Sequence, residues 1–198
     1  MPPNLAILLS GSGRTLDNLL AHERRGSLPA RIALVIASAD CLGLHKARAA
    51  NIPALLMPGT IPQDQLASHL AAHHIQFVAL AGYLKLLRIP RAFQGRITNI
   101  HPSLLPAFGG KGMHGMHVHR AVLASGATTS GCTVHLVDDQ FDTGPVLAQM
   151  RCPVLTTDTP ESLAARVFDC ECALYPRTLA QLITGRIVVP QLLPAEAP

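Results

Sequence analysis

Four stretches of this sequence combine polar residue types at spacings that chemistry can use. The first is Asn99-Ile100-His101-Pro102-Ser103-Leu104-Leu105-Pro106, at the end of an apolar run that reads as a strand. Residues two apart in an extended segment face the same side, so Asn99 and His101 present an amide and an imidazole to one reacting group. A carbonyl under attack needs a hydrogen-bond donor for its developing oxyanion and a group that moves protons near neutral pH; these two side chains supply both. The second, Asp138-Asp139-Gln140-Phe141-Asp142-Thr143-Gly144-Pro145, is a polar turn after another apolar run. Any of its three carboxylates set against His101 would orient the ring and raise its pKa, and spacing does not choose among Asp138, Asp139 and Asp142. Taken singly, a strand-end histidine is also a common structural residue, and turn carboxylates are usually solvated.

The third stretch is Ser10-Gly11-Ser12-Gly13-Arg14-Thr15, between the first apolar run and the first helix-like segment. Two glycines allow a tight turn with N–H groups aimed outward, and the following helix adds the positive end of its dipole, which makes an anion site, for phosphate above all. Neither GxGxxG nor GxxxxGK[ST] is complete, which disfavours a dinucleotide or a nucleoside triphosphate. The same residues also fit an ordinary strand-to-helix turn. The fourth is HxxHxH, His114, His117 and His119, beside a glycine-rich loop. No carboxylate or thiolate neighbours it closely and it matches no zinc signature, so it reads as substrate-lining or surface, and no metal is expected.

The elements that position these groups follow from apolar runs rich in Val, Ile, Leu and Ala: Leu5–Leu9, Arg31–Ala37, Pro53–Leu56, Phe77–Ala81, Arg96–Ile100, Thr133–Val137 and Val146–Met150. Short continuous runs bounded by turn residues predict strands covered on both faces. Helical spacing of apolar residues over Thr15–Arg25, Leu44–Ala50 and Gln63–His74 alternates with the early strands, which predicts βαβ units. The expected fold is α/β, a mostly parallel twisted sheet with helices on both faces and a Rossmann-like N-terminal half. After Ile100 the Pro- and Gly-dense stretch HPSLLPAFGGKGMHG predicts a long irregular loop, a feature that is usually functional. Helices over Val118–Ala124 and Glu161–Thr184 complete the pattern, and residues 191–198 are expected to fray.

At 198 residues the chain suits one domain and buries roughly two-thirds of its unfolded surface. Cys41, Cys132, Cys152, Cys170 and Cys172 are an odd number with no CxxC pair, which argues against a disulfide framework and for the cytoplasm. The opening MPPNLAILLSGSG lacks a basic n-region and soon meets glycines, so neither a signal peptide nor a membrane span is expected. Net charge is +4 but only 14 % of residues are charged and the basic ones are dispersed, which suits a small anionic substrate better than a nucleic acid. With 4 % aromatic residues and no Trp, base-stacking platforms are scarce.

NIHPSLLP followed in order by FDTGPV resembles the 10-formyltetrahydrofolate transferase superfamily, and with the early glycine loop and short length the chain is similar to the glycinamide ribonucleotide formyltransferases of purine biosynthesis. The resemblance runs from about Asn4 to about Pro190. It implies a single formyltransferase domain over 1–190, with a nucleotide half over about 1–100 and a folate and catalytic half over about 101–190. Its substrates would be glycinamide ribonucleotide and 10-formyltetrahydrofolate as cosubstrate, with no metal, no nucleic acid and no membrane partner, the protein acting as monomer or homodimer. Residue by residue it implies that Asn99 binds the formyl oxygen, that His101 shuttles protons and stabilises the oxyanion, and that Asp142 raises the His101 pKa. Gly11, Gly13, Arg14 and Thr15 would hold the phosphate, and Glu171 the region of the reactive amine. Leu84, Lys85, Leu86, Leu87, Asp138, Asp139, Gln140 and Phe141, with Asn99, would line the folate pocket. The chain departs from the family pattern in having Arg14-Thr15 where many members have Ser-Asn, in the longer GGKGMHGMHVHR, and in Gln63, near where an Arg contacting folate falls. A 10-formyltetrahydrofolate hydrolase and a non-catalytic phosphate-binding module are the alternatives.

Overall fold

The computed structural model describes residues 1–187, so the tail at 191–198 lies outside the described residues. The elements run β1 (Asn4–Leu9), α1 (Arg14–Arg24), β2 (Arg31–Ala37), α2 (Leu42–Ala49), β3 (Ala54–Leu56), α3 (Gln63–Ala72), β4 (Ile75–Leu80), β5 (Ile97–His101), α4 (Met116–Ala124), β6 (Thr129–Leu136), β7 (Val146–Pro153) and α5 (Pro160–Ile183). They form one sheet in the order β3-β2-β1-β4-β5-β6-β7. The first five strands of that order are parallel, and β6 and β7 join antiparallel. The α/β expectation of a mostly parallel sheet is met, and the antiparallel pair is what the acidic turn between its two strands builds.

Apolar runs without alternation are needed because helices cover both faces of the sheet. Leu5, Ile7 and Leu9 of β1 enter a core with Leu16 and Leu19 of α1, Leu44 of α2, Val118 of α4 and Leu163 of α5. Ala6 and Leu8, pointing the other way, pack with Leu66 and Leu70 of α3. Each wholly buried leucine or isoleucine here is worth roughly 1.5–3 kcal/mol. In β2 the parity breaks: Ile32 and Val35 share one core because the register against β1 slips between Leu5 and Ala6 and skips Ala33. A one-residue slip flips every later side chain, so the bulge is what lets both ends of β2 stay buried.

A difference from the sequence reading lies in the second half. β6 begins at Thr129, four positions before the expected Thr133, because Thr129 to Cys132 pair with β7 despite their polar composition. The loop after β5 is irregular, as expected, and it is tied down. The Thr133 hydroxyl donates to Ser103 O (2.7 Å) and accepts from Leu105 N–H (3.0 Å), while Gln149 Nε2 donates to Leu105 O (2.9 Å). α5 is equally fixed: Thr159 and Ser162 form a capping box at its start, and the buried Tyr175 hydroxyl lies 3.1 Å from Leu80 O and 3.1 Å from the Thr98 hydroxyl.

Candidate active site

β1 is where strand order reverses, since β2 and β3 lie to one side and β4 and β5 to the other. Open parallel sheets bind ligands at such a switch point, beyond the carboxyl ends of the strands. A cleft of about 580 Å³ opens there, lined by Arg14 and Thr15 after β1, Gly82 to Leu84 after β4, Asn99 to Pro102 at the end of β5, and Phe168 and Glu171 from α5. Its far wall is Gly110 to Met116 and His119, from the glycine-rich loop and α4.

Its polar floor is built by strand register. Asn99 and His101 alternate with Ile100 on β5, and β6 sets His135 opposite Asn99. The turn after β6 then delivers Asp142, with a left-handed backbone (φ 60°), a conformation asparagine and aspartate tolerate best among residues with a side chain. Gly144 lets that turn close, because a Cβ there would run into the Leu136 carbonyl oxygen.

Asp142 is the hub. Its Oδ2 lies 3.3 Å from His101 Nδ1 and accepts from Gly110 N–H at 3.0 Å, while its Oδ1 accepts from Asn99 Nδ2 at 3.4 Å. Burial pushes this carboxyl up, but the neighbouring imidazoles of His135 and His101 and the Gly110 N–H more than offset it and hold the pKa below its ordinary value. His135 Nδ1 donates to Leu136 O at 2.8 Å, and its Nε2 lies 3.1 Å from Asn99 Nδ2 and 3.6 Å from Asp142 Oδ1. The Asn99 amide nitrogen thus sits against His135 and donates one N–H in a long contact to Asp142.

His101 is 3 % exposed, and its Nε2 faces the Phe108 carbonyl at 2.9 Å. Both ring nitrogens thus face acceptors, an arrangement that suits imidazolium. Burial acts against it and is the largest influence: the His101 pKa lies below the ordinary value although Asp142 and the Phe108 carbonyl raise it, and His135 lowers it further. The expected action of Asp142 is present, but desolvation outweighs it.

At the opposite end, Ser10 joins three strand ends: its N–H donates to Gly82 O (3.0 Å), and its hydroxyl meets the Ser38 hydroxyl (2.6 Å) and accepts from Leu84 N–H (2.9 Å). Gly13 precedes α1 at φ 71°, and a Cβ there would come 2.6 Å from Gly43 Cα on α2. Neither Gly11 nor Gly13 lines the cleft; they shape the loop that presents Arg14, Thr15 and the unpaired first amides of α1. The Arg14 guanidinium stacks over the Phe168 ring at 3.7 Å. Burial raises the Glu171 pKa to about 7, with Arg14 pulling the other way.

Among the other expected residues, Leu84 and Phe141 line the cleft, and Lys85, Leu86, Leu87 and Gln140 line a cavity of about 50 Å³ that adjoins it at Tyr83, Asn99 and Asp142. Asp138 and Asp139 line neither; Asp138 accepts from Gln140 N–H and the Thr143 hydroxyl within its own turn. Of the histidine trio, His114 and His117 are exposed with ring centroids 5.6 Å apart, His119 is buried, and His114 and His119 line the cleft; among the described residues no group of three His, Cys, Asp or Glu is arranged for a metal. Sequence reasoning missed His135, Tyr83 and Phe168. His135 had a signal: an imidazole inside the otherwise apolar run TVHLV, 2 % exposed, must find a partner.

A family model described as formyl transferase matches residues 3–179. The curated chloroplastic phosphoribosylglycinamide formyltransferase of Vigna unguiculata is 45 % identical over 194 residues, covering 93 % of this chain and 62 % of the relative, so the chain spans about three-fifths of that protein's length. The phosphoribosylglycinamide formyltransferase of Haemophilus influenzae is 32 % identical over 192 residues, 92 % of this chain and 88 % of the relative. Among solved structures, glycinamide ribonucleotide transformylase 1 from Symbiobacterium toebii superposes with a TM-score of 0.86 at 39 % identity, covering 96 % of this chain and 91 % of that one.

Proposed function

Because this chain belongs to the formyl transferase family, we propose that it transfers the formyl group of 10-formyltetrahydrofolate to the amine of glycinamide ribonucleotide, a step of purine biosynthesis. The observation that carries this reading is the Asn99–His101–Asp142 cluster at the floor of a cleft whose other end is a helix N-terminus. Relatives that carry the activity in their names at 45 % and 32 % identity support it. One domain does the work, its N-terminal half holding the ribonucleotide and its C-terminal half the folate.

The phosphate rests on the first amides of α1, beside Arg14 and Thr15, with Gly11 and Gly13 fixing the loop. Glu171 faces the amine. The pterin end of the folate enters past Leu84 and Phe141 toward Lys85, Leu86, Leu87 and Gln140, while Asp138 ties the turn together and Asp139 stands exposed on it. As the amine attacks the formyl carbon, charge develops on the formyl oxygen. The Asn99 N–H held by the long 3.4 Å contact to Asp142 is the donor that oxygen claims most easily. His101 donates a second hydrogen bond once substrate displaces the Phe108 carbonyl from Nε2. The new negative charge raises the His101 pKa just when a proton is needed, and Asp142 steadies the imidazolium. The attacking amine gives up its proton, and the folate nitrogen takes one as its bond to the formyl carbon breaks.

The compartment this reading assigns is the cytoplasm, and five free cysteines fit its reducing conditions. No helix among the described residues is long and apolar enough to cross a membrane. The deciding experiment is steady-state consumption of 10-formyltetrahydrofolate with and without glycinamide ribonucleotide. Turnover strictly dependent on the amine is expected; turnover without it would mark a hydrolase, and none in either condition a binding module.

A further inference from the structure

Arg14 opens α1, where the helix dipole is positive and an acidic or neutral residue is favoured. A cation held there works against the dipole, and its side chain is exposed enough to turn into water. Instead its guanidinium lies 3.7 Å from the centroid of the Phe168 ring on α5. Phe168 and Glu171 are three residues apart on that helix and therefore share a face. All three line the same cleft.

The other titratable groups around Glu171 are Cys132 from β6 and Cys172 and Tyr175 from α5, with His119 of α4 in the same cleft wall. None is a fixed cation; of the two among the described residues of the cleft, Lys111 is on the far wall and Arg14 is stacked on Phe168, one turn of α5 from the carboxyl. Resting on the formyl-transfer reading above, we infer that Arg14 is a positioning residue: stacked on Phe168, its guanidinium keeps Glu171 in the carboxylate form that captures the substrate amine, and so sets the lower pH limit of the reaction.

The sign follows from two opposed influences. Burial raises the Glu171 pKa to about 7 while Arg14 lowers it, so near neutrality about half of the groups are carboxylate. Without the guanidinium the pKa rises further. A rise of about one unit cuts the carboxylate fraction at pH 7 roughly fivefold and leaves it almost unchanged two units higher.

The test is the pH profile of kcat/KM for the ribonucleotide, from about pH 6 to about pH 9 around the ordinary histidine and amine range, in wild type, Arg14→Met, Arg14→Lys, Phe168→Leu and Glu171→Gln. Arg14→Met should move the acidic limb to higher pH, whatever constant factor it costs at every pH through the phosphate. Arg14→Lys, which keeps the charge, should restore most of the limb, and Phe168→Leu should give a smaller shift of the same sign. In a Glu171→Gln background Arg14→Met should no longer move it. A partly unfolded variant loses activity at every pH and is told apart by the shape of the curve. A pH-independent rise in KM with an unmoved acidic limb would leave Arg14 to the phosphate alone and overturn the inference. The ¹³C-carboxyl titration of Glu171 in ligand-free wild type and Arg14→Met reads the same coupling without turnover, so an enzyme lacking amine-dependent turnover would sink the proposed reaction and leave this measurement to decide the role of Arg14.

Discussion

The two ends of the cleft are made by different means. The end at β1 and α1 is a backbone site: Ser10 to Thr15 are consecutive, their shape is set by Gly13 and the Ser10 hydroxyl, and the groups offered to a ligand are amides. The end at β5 and β6 is a side-chain site: Asn99, His101, His135 and Asp142 come from three segments and meet only because β6 pairs antiparallel with β5. A backbone site tolerates changes of side chain and fails when the chain cannot take its shape. A side-chain site keeps its fold when one group is replaced and loses chemistry. Binding and reaction are divided along that line.

The largest effect that sharpens the division is expected from His101→Asn. It should lower turnover roughly a hundredfold to a thousandfold, the usual cost of removing one oxyanion donor, with little change in the affinity of either ligand. Calorimetry beside single-turnover rates checks it. Weakened ribonucleotide binding of comparable size would break the comparison, since it would make His101 part of the binding end.

Next comes Asp142→Asn. Asp142 is the one carboxylate placed to favour imidazolium at His101, so its loss should lower a pKa that burial already depresses. Each unit is a tenfold change in imidazolium, so a loss of roughly tenfold or more in the transfer rate at neutral pH is expected. Asp138→Asn and Asp139→Asn should leave both quantities near wild type, because neither side chain reaches the cleft. Histidine NMR titrations of the three variants compare them directly. A shift caused by Asp138→Asn or Asp139→Asn alone would move the role to that residue.

The same contrast explains what could be read in the sequence. The parallel half was legible strand by strand, since continuous apolar runs and helical spacing are local signals, and the glycine loop lay where one strand gave way to one helix. Asn99 and His101 were legible as a pair because two-residue spacing fixes a shared face. Asp142 was not separable from its neighbours by spacing, because a turn's direction depends on which residue takes φ 60°. His135 stood out as an imidazole in an apolar run, but its place in the site did not, because its neighbour Asn99 is 36 positions away and only strand register joins them. The pKa of His101 was read with the charge of Asp142 but without its burial, which is a property of the packed loop above it. The departure at Arg14 was visible, but its partner Phe168 on a distant helix was not.

Gly13→Ala tests the backbone end and should act on stability before it acts on ligands. At φ 71° a side chain costs roughly 1–2 kcal/mol, and the added Cβ meets Gly43 Cα at 2.6 Å, so α1 and α2 must also separate. The thermal midpoint should fall whether or not ligand is present. Unchanged stability with selectively weaker ribonucleotide binding would show that the glycine serves the phosphate by close approach rather than the turn by its conformation.

The smallest effect is expected where the two ends meet, at Tyr83. It follows β4 beside the glycine loop and also borders the small cavity next to Asn99 and Asp142. Its hydroxyl is buried with no hydrogen-bond partner among the described residues, and burial raises its pKa to about 12, so it stays protonated throughout the working range. A hydroxyl without a partner in a packed site loses its water and gains nothing in return, so Tyr83→Phe should be neutral or stabilising by up to about 1 kcal/mol. That outcome, with unaltered KM for both substrates, would make Tyr83 a packing residue whose hydroxyl belongs to neither end. A selective rise in KM for the folate would place a ligand atom against the hydroxyl and extend the side-chain site across the cleft toward β4. A rise confined to the ribonucleotide would instead add the Tyr83 hydroxyl to the groups that hold that ligand, and the division between the two ends would then have to be redrawn at Tyr83.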